Sequence, residues 1–314
     1  MRFAVGMLET PEAARGAAIE YFNRHSGRVE VEKVYGEGAL RWAYENPLGR
    51  MTNWALGRRA WLGRWYGWWM RQAATRDKIP LFIEKYGLDA GEFAEAPEKY
   101  ASFDDFFSRK LKTGARPLAG GAETVVFGAD GRHLGFPEAE RAEGVFVKGQ
   151  RWDLRGLLGD AALARRYAGG ALVLSRLCPV DYHRFHFPTD GTPGTARWLP
   201  GSLWSVNPIA LRGRLARLWE NKRMLTALET ERFGTVLLLE IGATNVGSIT
   251  QTYAPGVVTA RGAEKGFFAF GGSATMTLFE PGRVRLAEDL MEQSRAGREL
   301  YARMGSAMGT AATG

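Results

Sequence analysis

The run TVLLLEIGA at residues 235–243 is a continuous apolar stretch of the length expected for a buried strand. Four shorter runs rich in β-branched, aliphatic or aromatic residues accompany it: TVVF (124–127), GVFV (144–147), ALVLS (171–175) and FFAF (267–270). Glycine and proline separate these runs, as they do where strands are joined by turns. From about residue 124 the sequence therefore predicts a largely antiparallel β-domain.

The first third of the chain has a different pattern. Apolar residues recur at helical spacing over residues 11–24, 36–45 and 50–75, with Pro47 and Pro80 as breakers between segments. A last amphipathic segment, 287–304, predicts a helix, and the small residues from 305 to 314 predict a frayed tail. The predicted class is α+β: a helical region over residues 1–105, followed by a β-rich domain over residues 106–314.

Composition narrows the class of protein. The 314 residues are 45% apolar, enough for a substantial core, and the single cysteine, Cys178, excludes an intramolecular disulfide and a cysteine-rich metal cluster. A reducing, cytoplasmic setting fits this cysteine content. The N-terminus has no signal-peptide pattern, and no stretch approaches the roughly 18 uncharged residues of a membrane-spanning helix. A net charge of +8 favours an anionic partner, either nucleic acid or an acidic lipid surface.

The segment WALGRRAWLGRWYGWWMRQ (54–72) holds half of the ten tryptophans, interleaved with arginine. On a helix Trp61, Trp65 and Trp68 share one face. Tryptophan prefers the bilayer interface and arginine attracts anionic headgroups, so the segment is suited to lie in the plane of a membrane. Two alternatives stay open: a helix packed on the β-domain, and a stacking surface for single-stranded nucleic acid.

Two histidines stand together in LCPVDYHRFHFPTDGTP (177–193). His183 and His186 are three residues apart, so a regular strand would point them to opposite faces, whereas a turn or bulge would let them converge. This spacing does not indicate zinc, and the sequence contains no HExxH motif, so no metal is predicted. Flanking Asp181 and Tyr182 favour acid–base chemistry, the alternative being hydrogen-bonded structural histidines.

A glycine pair interrupts the β pattern in AFGGSATMTLFEPG (269–282), where Gly271 and Gly272 precede Ser273. Such a pair marks backbone with unusual dihedrals or a close approach, although a simple hairpin turn is the plainer interpretation. A hydrolase nucleophile elbow is not indicated, because the GxSxG pattern is missing. In VVFGADGRHLGF (125–136) Asp130 lies in a turn that leaves a strand.

Six motifs in this order resemble those of the phosphatidylserine decarboxylases. They are FFSRKLKTGARPL (106–118), ADG (129–131), DYHRFHFPTDG (181–191), SVNP (205–208), GATNVGSI (242–249) and KGFFAFGGS (265–273). The resemblance runs from about residue 34, at VYGEGALRWAYENPLGR, to residue 282. It covers most of the chain, and six ordered motifs are much more specific than any one of them.

The resemblance implies a self-cleaving proenzyme. In that family the glycine–serine bond of LGST or GGST breaks spontaneously, and the new N-terminal serine becomes a pyruvoyl group. Here Gly272 and Ser273 are that pair, and Ala274 replaces the following threonine, which bears on the speed of processing more than on its occurrence. The predicted cofactor is the pyruvoyl group from Ser273, which serves as electron sink.

The resemblance also implies residue roles. Ser273 attacks the carbonyl of Gly272 after His186, oriented by Asp130, removes its proton. His183 is then the general acid of decarboxylation. Tyr182 and Asn207 are expected to contact the substrate.

The implied reaction converts phosphatidylserine to phosphatidylethanolamine and CO₂ at the cytoplasmic face of a membrane. The implied partners are the phospholipid, an anionic membrane surface and a second copy of the chain in a homodimer, with no nucleic acid. Two other functions stay open. One is a decarboxylase of a free amino acid on the same fold, and the other is a processing-dead membrane-surface binding protein, suggested by Ala274.

Overall fold

The structure is a computed structural model. It describes residues 18–34, 41–43, 60–142, 152–202, 217–242, 249–271 and 273–312, together with isolated positions 38, 46, 48, 49, 204, 206, 209 and 211; at residues 60–64 it describes the backbone alone.

The described strands, in chain order, are β1 Glu20–Asn23, β2 Arg28–Val31, β3 Thr124–Val126, β4 Gly131–Phe136, β5 Leu172–Leu177, β6 Arg184–His186, β7 Thr192–Pro193, β8 Arg197–Leu199, β9 Arg223–Thr230, β10 Gly234–Gly242, β11 Ile249–Gln251, β12 Glu264–Phe268, β13 Ser273–Leu278, β14 Val284–Leu286, β15 Glu299–Ala302 and β16 Ala307–Ala311. The described helices are α1 Ala60–Met70, α2 Lys78–Tyr86, α3 Phe103–Phe107, α4 Leu154–Leu158, α5 Ala161–Tyr167, α6 Arg217–Glu220 and α7 Glu288–Arg295.

One large sheet forms the centre of the fold. Within the described residues it has the order β2-β1-β15-β4-β5-β13-β10-β9-β7, with β8 also paired to β9. Every pairing is antiparallel except that of β1 with β15. Two smaller antiparallel sheets, β11-β12-β6 and β14-β16-β3, accompany it.

The central strands β5 and β10 are buried along most of their length, which explains the consecutive aliphatic residues in their sequences. On β13, Ala274 and Met276 belong to one apolar cluster, together with residues of β5, β10 and the helices α4 and α5. Since side chains alternate along a strand, Ser273 and Thr275 point to the other face. Ser273 thus begins a strand at the middle of the sheet, with β5 on one side and β10 on the other.

An aromatic cluster joins α1, α2 and α3 to the segment that leads into β13. Phe270 contacts Phe103 and Phe107 of α3, with ring centroids 5.4 and 4.9 Å apart, and Tyr66 of α1 at 5.8 Å. The backbone N–H of Phe270 also donates to the Asp104 carboxylate at 2.7 Å. The N-terminal helices therefore hold the chain three residues before Ser273. No described helix is both long and apolar enough to cross a bilayer.

The α+β class and most of the strand predictions are confirmed. The runs at 124–127, 171–175, 235–243 and 267–270 overlap β3, β5, β10 and the end of β12, although residues 269–270 lie beyond β12 and residue 243 lies outside the described residues. The run at 144–147 lies outside the described residues, as do most of the helix predicted at 36–45 and the first part of that at 50–75. Of the latter, α1 ends at Met70.

Three local predictions are wrong. Residues 20–23, expected to continue a helix from 11–24, form β1, which pairs with both β2 and β15. The helix predicted over 287–304 stops after α7 at Gly297, whose φ is 69°, and the chain continues as β15. The expected frayed tail forms β16 between β14 and β3. In each case strand pairing with distant residues outweighs the local pattern.

The domain boundary predicted at residue 105 stays a prediction. The structure places this residue inside α3, and the β1–β2 hairpin, from the region expected to be helical, is part of the large sheet.

Candidate active site

Ser273 is the first residue of β13 and is completely buried. Its register partners are Gly242 of β10 and Leu177 of β5. Its Oγ atom has no hydrogen-bond partner among the described residues. Gly271 has φ 148°, in the region that favours glycine, while Gly272 lies outside the described residues. A buried hydroxyl without a partner is rare in folded proteins and is a feature of reactive sites.

His183 is a second buried group with an unsatisfied atom. Its Nδ1 donates to the carbonyl oxygen of Asp181 at 3.0 Å, and its Nε2 has no partner among the described residues. Because a carbonyl only accepts, this bond assigns the proton to Nδ1 and leaves Nε2 bare in the neutral ring. Phe107 stacks on the imidazole at 3.8 Å between centroids. Burial lowers the pKa of His183 to about 3, so the ring is neutral at physiological pH.

The backbone brings Ser273 and His183 to the same end of the large sheet. Leu177, opposite Ser273, is followed by a turn in which the Asp181 N–H donates to the Cys178 carbonyl at 2.8 Å. After this turn the His183 carbonyl accepts from the N–H of Phe268, five residues before Ser273. Two buried polar atoms without partners, Ser273 Oγ and His183 Nε2, thus belong to one region of the molecule.

His186, at the end of β6, has both ring nitrogens occupied. Its Nδ1 donates to the Gly262 carbonyl at 3.0 Å, and its Nε2 accepts from the Tyr182 hydroxyl at 3.3 Å. Burial lowers the pKa of His186, and the Gly262 bond and the charges of Glu264 and Asp130 offset part of this effect. Nε2 is therefore the basic nitrogen, and the Tyr182 hydroxyl is its partner.

Asp130 does not contact His186, so the direct orientation predicted from the resemblance is not formed. Its carboxylate accepts from Arg116 Nε at 2.9 Å and from the second Arg116 nitrogen at 2.7 Å, and also from the Met304 N–H at 2.8 Å. The planar guanidinium fork matches both carboxylate oxygens, which accounts for this pairing. Asp130 nevertheless remains close to His186, because the His186 N–H donates to the carbonyl of Gly128 at 2.7 Å.

The other residues predicted for the site differ in their positions in the structure. Tyr182 is buried against His186 rather than exposed to a ligand, and its substrate contact stays a prediction. Asn207 lies outside the described residues. Ala274 points away from Ser273 into the apolar cluster beneath the sheet. Among the described residues, no three His, Cys, Asp or Glu side chains are grouped so as to hold a metal ion.

Comparison with known proteins identifies the family of the chain. The phosphatidylserine decarboxylase family model matches residues 103–310. The chain belongs to the phosphatidylserine decarboxylase family. It is 42% identical over 290 residues to the phosphatidylserine decarboxylase proenzyme of Chlamydia pneumoniae, covering 92% of this chain and 96% of that protein. The corresponding proenzyme of Chlamydia muridarum is 45% identical over 289 residues, with the same coverage. That of Fusobacterium nucleatum is 39% identical over 291 residues, covering 93% and 97%.

The phosphatidylserine decarboxylase family match begins at residue 103, yet the hairpin before it supplies a charge to the site. Glu32, just after β2, pairs with Arg176 at 2.5 Å and lies 3.4 Å from Arg132. Arg132 in turn donates to the Asp181 carboxylate at 2.6 Å. That carboxylate also accepts from the Cys178 N–H at 2.7 Å, closing the turn before His183. Sequence reasoning missed this network, because its bonded members are up to 146 residues apart in the chain.

A second buried ion pair lies on the same sheet face as Ser273. Lys265 of β12 donates to both oxygens of Glu240 at 2.8 Å and to Gln251 at 2.9 Å. Glu240 is the register partner of Thr275. A small cavity is lined by Glu240, Thr275 and Lys265 together with His186. The ion pair between Lys265 and Glu240 therefore fixes β12, which lies beside His186 and leads toward Ser273.

Proposed function

We propose that this chain is a self-processing phosphatidylserine decarboxylase, which cleaves its own Gly272–Ser273 bond and then converts phosphatidylserine to phosphatidylethanolamine and CO₂. The relatives are named as proenzymes of that activity. The observation that carries the proposal is the buried Oγ of Ser273 at the head of β13, which has no hydrogen-bond partner among the described residues, in the region of His183 and its equally unpartnered Nε2. Most buried serine hydroxyls in folded proteins have a hydrogen-bond partner.

In the first reaction Ser273 Oγ attacks the Gly272 carbonyl and the acyl group moves from nitrogen to oxygen. A hydroxyl needs a base for this attack, and His186 is the proposed base. Gly262 fixes its Nδ1 as the protonated nitrogen, so Nε2 is free of a proton and Tyr182 orients it. β-Elimination from the resulting ester releases the Gly272 carboxylate as the C-terminus of the 1–272 chain and leaves dehydroalanine at residue 273. Hydrolysis of this dehydroalanine by water releases ammonia and leaves a pyruvoyl group.

The surroundings of Ser273 suit this group. Ser273 is buried, which shields a reactive carbonyl from bulk solvent, and nearby Gly271 carries no side chain that would crowd it. When bound, the pyruvoyl carbonyl supplies an electron sink for the carbanion left by loss of CO₂. His183 is the proposed proton donor to that carbanion. Its Nε2 is bare in the precursor, so it must first take up a proton at that atom.

A lipid substrate requires contact with a membrane, and we assign that contact to α1 and α2. Trp65 and Trp68 are 57% and 52% exposed, and Leu81 of α2 is 67% exposed. The opposite side of α1, at Tyr66 and Met70, packs in the aromatic cluster. The helix therefore combines a packed side with an exposed tryptophan side, as an interfacial helix does. A homodimer and a place at the cytoplasmic face of the membrane belong to the proposal through family membership.

The test uses purified protein with phosphatidylserine vesicles and, separately, with free amino acids. We expect phosphatidylethanolamine and CO₂ from the vesicles, and neither product from the Ser273→Ala variant. Processed protein that decarboxylates only a free amino acid would replace lipid by amino acid as the substrate. Wild-type protein that binds vesicles but stays uncleaved and inactive would overturn the enzymatic proposal.

A further inference from the structure

Arg109 has a buried guanidinium without a carboxylate partner among the described residues. The residue is 4% exposed, and none of the described acidic side chains forms an ion pair with it. Within the same part of the chain its guanidinium makes two long hydrogen bonds of 3.5 Å, to the carbonyls of Phe106 and Asp181, and its Nε makes none. It belongs to the FFSRKLKTGARPL motif, and nothing in the proposed chemistry uses it.

Three other buried arginines have carboxylate partners, whereas Arg223 donates to three backbone carbonyls and so uses the hydrogen-bonding capacity that Arg109 leaves unused. Arg116 has the Asp130 and Glu92 carboxylates, Arg132 has Asp181, and Arg176 has Glu32 and Glu299. Buried charges are costly unless paired, and proteins normally pair them. Burial accordingly lowers the pKa of Arg109. Two aromatic rings offset the cost of this buried charge only in part. The ring centroids of Phe93 and Phe106 each lie 4.9 Å from the guanidinium carbon of Arg109.

The position of this unpaired cation links it to catalysis. The Asp181 carbonyl that accepts from Arg109 is the same oxygen that accepts from His183 Nδ1. Phe107, two residues before Arg109, stacks on the His183 ring. The guanidinium and the proposed proton donor are therefore neighbours held on one carbonyl. A planar guanidinium with unused donors is well suited to bind a carboxylate or phosphate oxygen pair.

We propose that Arg109 binds an oxyanion of the substrate headgroup and thereby holds the headgroup beside His183. This proposal rests on the proposed function, because it identifies the charge that the site recognises. A phosphatidylserine headgroup carries two oxyanions, a carboxylate and a phosphodiester, and either satisfies the chemistry of the guanidinium. The bound oxyanion supplies the counter-charge that the described part of the chain does not.

The test compares Arg109→Gln with wild type and with Arg166→Gln, which removes an exposed arginine paired to Glu280. Self-cleavage is followed on gels, and KM and kcat are measured with a short-chain soluble phosphatidylserine. Glycerophosphoserine, which carries both oxyanions, serves as a competitive inhibitor. We expect Arg109→Gln to cleave itself and to raise both KM and the inhibition constant at least tenfold, while Arg166→Gln changes neither more than twofold.

Glycerophosphoethanolamine, which lacks the carboxylate, distinguishes the two oxyanions. If its inhibition constant also rises in Arg109→Gln, the phosphodiester is bound; if it does not, the carboxylate is bound. Should Arg109→Gln fail to fold, Arg109→Lys decides, because loss of the planar fork should raise the glycerophosphoserine constant at least fivefold. Unchanged KM and inhibition constants in a self-cleaved variant would overturn the proposal, even if its thermal midpoint falls. A wild-type protein that does not cleave itself would instead count against the proposed function.

Discussion

Replacing Glu32 by glutamine removes the charge that pairs the segment after the β1–β2 hairpin with arginines of the large sheet. Glu32 accepts from Arg176 at 2.5 and 3.2 Å and from the Cys178 thiol at 3.2 Å. The variant keeps the size of the side chain but leaves Arg176 with Glu299 alone and Arg132 with Asp181 alone. Removing one partner of a buried ion network typically costs about 3–5 kcal/mol.

The pH dependence gives a second measure of the same effect. Burial by itself would raise the pKa of Glu32, but Arg176 and Arg132 lower it from 4.5 to about 2. Since one pKa unit corresponds to about 1.4 kcal/mol, the free energy of unfolding gains about 3 kcal/mol from this group at neutral pH. A carboxylate with a lowered folded pKa stabilises fully above its unfolded pKa, and this stabilisation is lost as the pH falls from about 4.5 to about 2.

Urea unfolding of the Ser273→Ala precursor, which stays a single chain, measures this contribution through tryptophan fluorescence. At pH 7 we expect Glu32→Gln to lower the free energy of unfolding by about 3 kcal/mol, and at pH 3 by about 1 kcal/mol. The control is Glu95→Gln, whose exposed pair with Lys99 should contribute less than about 1 kcal/mol. A Glu32→Gln variant no less stable than this control at pH 7 would refute the reasoning.

Three further predictions concern the site and the membrane. His186→Ala should block self-cleavage, whereas His183→Ala should still cleave to some extent and lose turnover. Gels measure the cleavage and a CO₂ assay measures the turnover. Normal turnover in His183→Ala would show that His183 is not the proton donor. Tyr182→Phe should slow self-cleavage by roughly tenfold, because His186 Nε2 loses its only described partner; an unchanged half-time would leave this hydroxyl without a role. Replacing Trp65 and Trp68 by alanine should reduce vesicle flotation without lowering the thermal midpoint, since both side chains are largely exposed, and unchanged flotation would remove α1 from the membrane contact.

Two of the strands that carry the site were predictable because they are central. β5 and β10 are buried along most of their length and contain runs of consecutive aliphatic residues, which is a local signal. β13, with the sequence SATMTL, has no such run and was not among the predicted strands. The β1–β2 hairpin gave no such signal, because its strands have four residues each and are mostly exposed or half-buried. β15 was hidden for another reason: it follows α7 closely, and only its pairing with β1 and β4 separates it from the helix.

The residues proposed for the candidate site came from motif order, whereas their contacts could not be predicted from the sequence. Motif order indicated Ser273 and the two histidines, and the structure brings Ser273 and His183 to one end of the sheet. The partner of His186 is Tyr182, four residues away, and the hydrogen bond between them depends on the turn of the chain. Asp130 pairs with Arg116, which no sequence pattern distinguishes from the other arginines of its motif.

The central claim is that residue 273 becomes the prosthetic group, and intact-mass analysis of the purified wild-type protein tests it most directly. We predict two chains, one of residues 1–272 and one of residues 273–314, the short chain lighter by one ammonia than a chain beginning with serine. Ser273→Ala should remain a single chain of full mass. A wild-type protein that decarboxylates phosphatidylserine as one uncleaved chain, or whose short chain begins with an unmodified serine, would contradict the account.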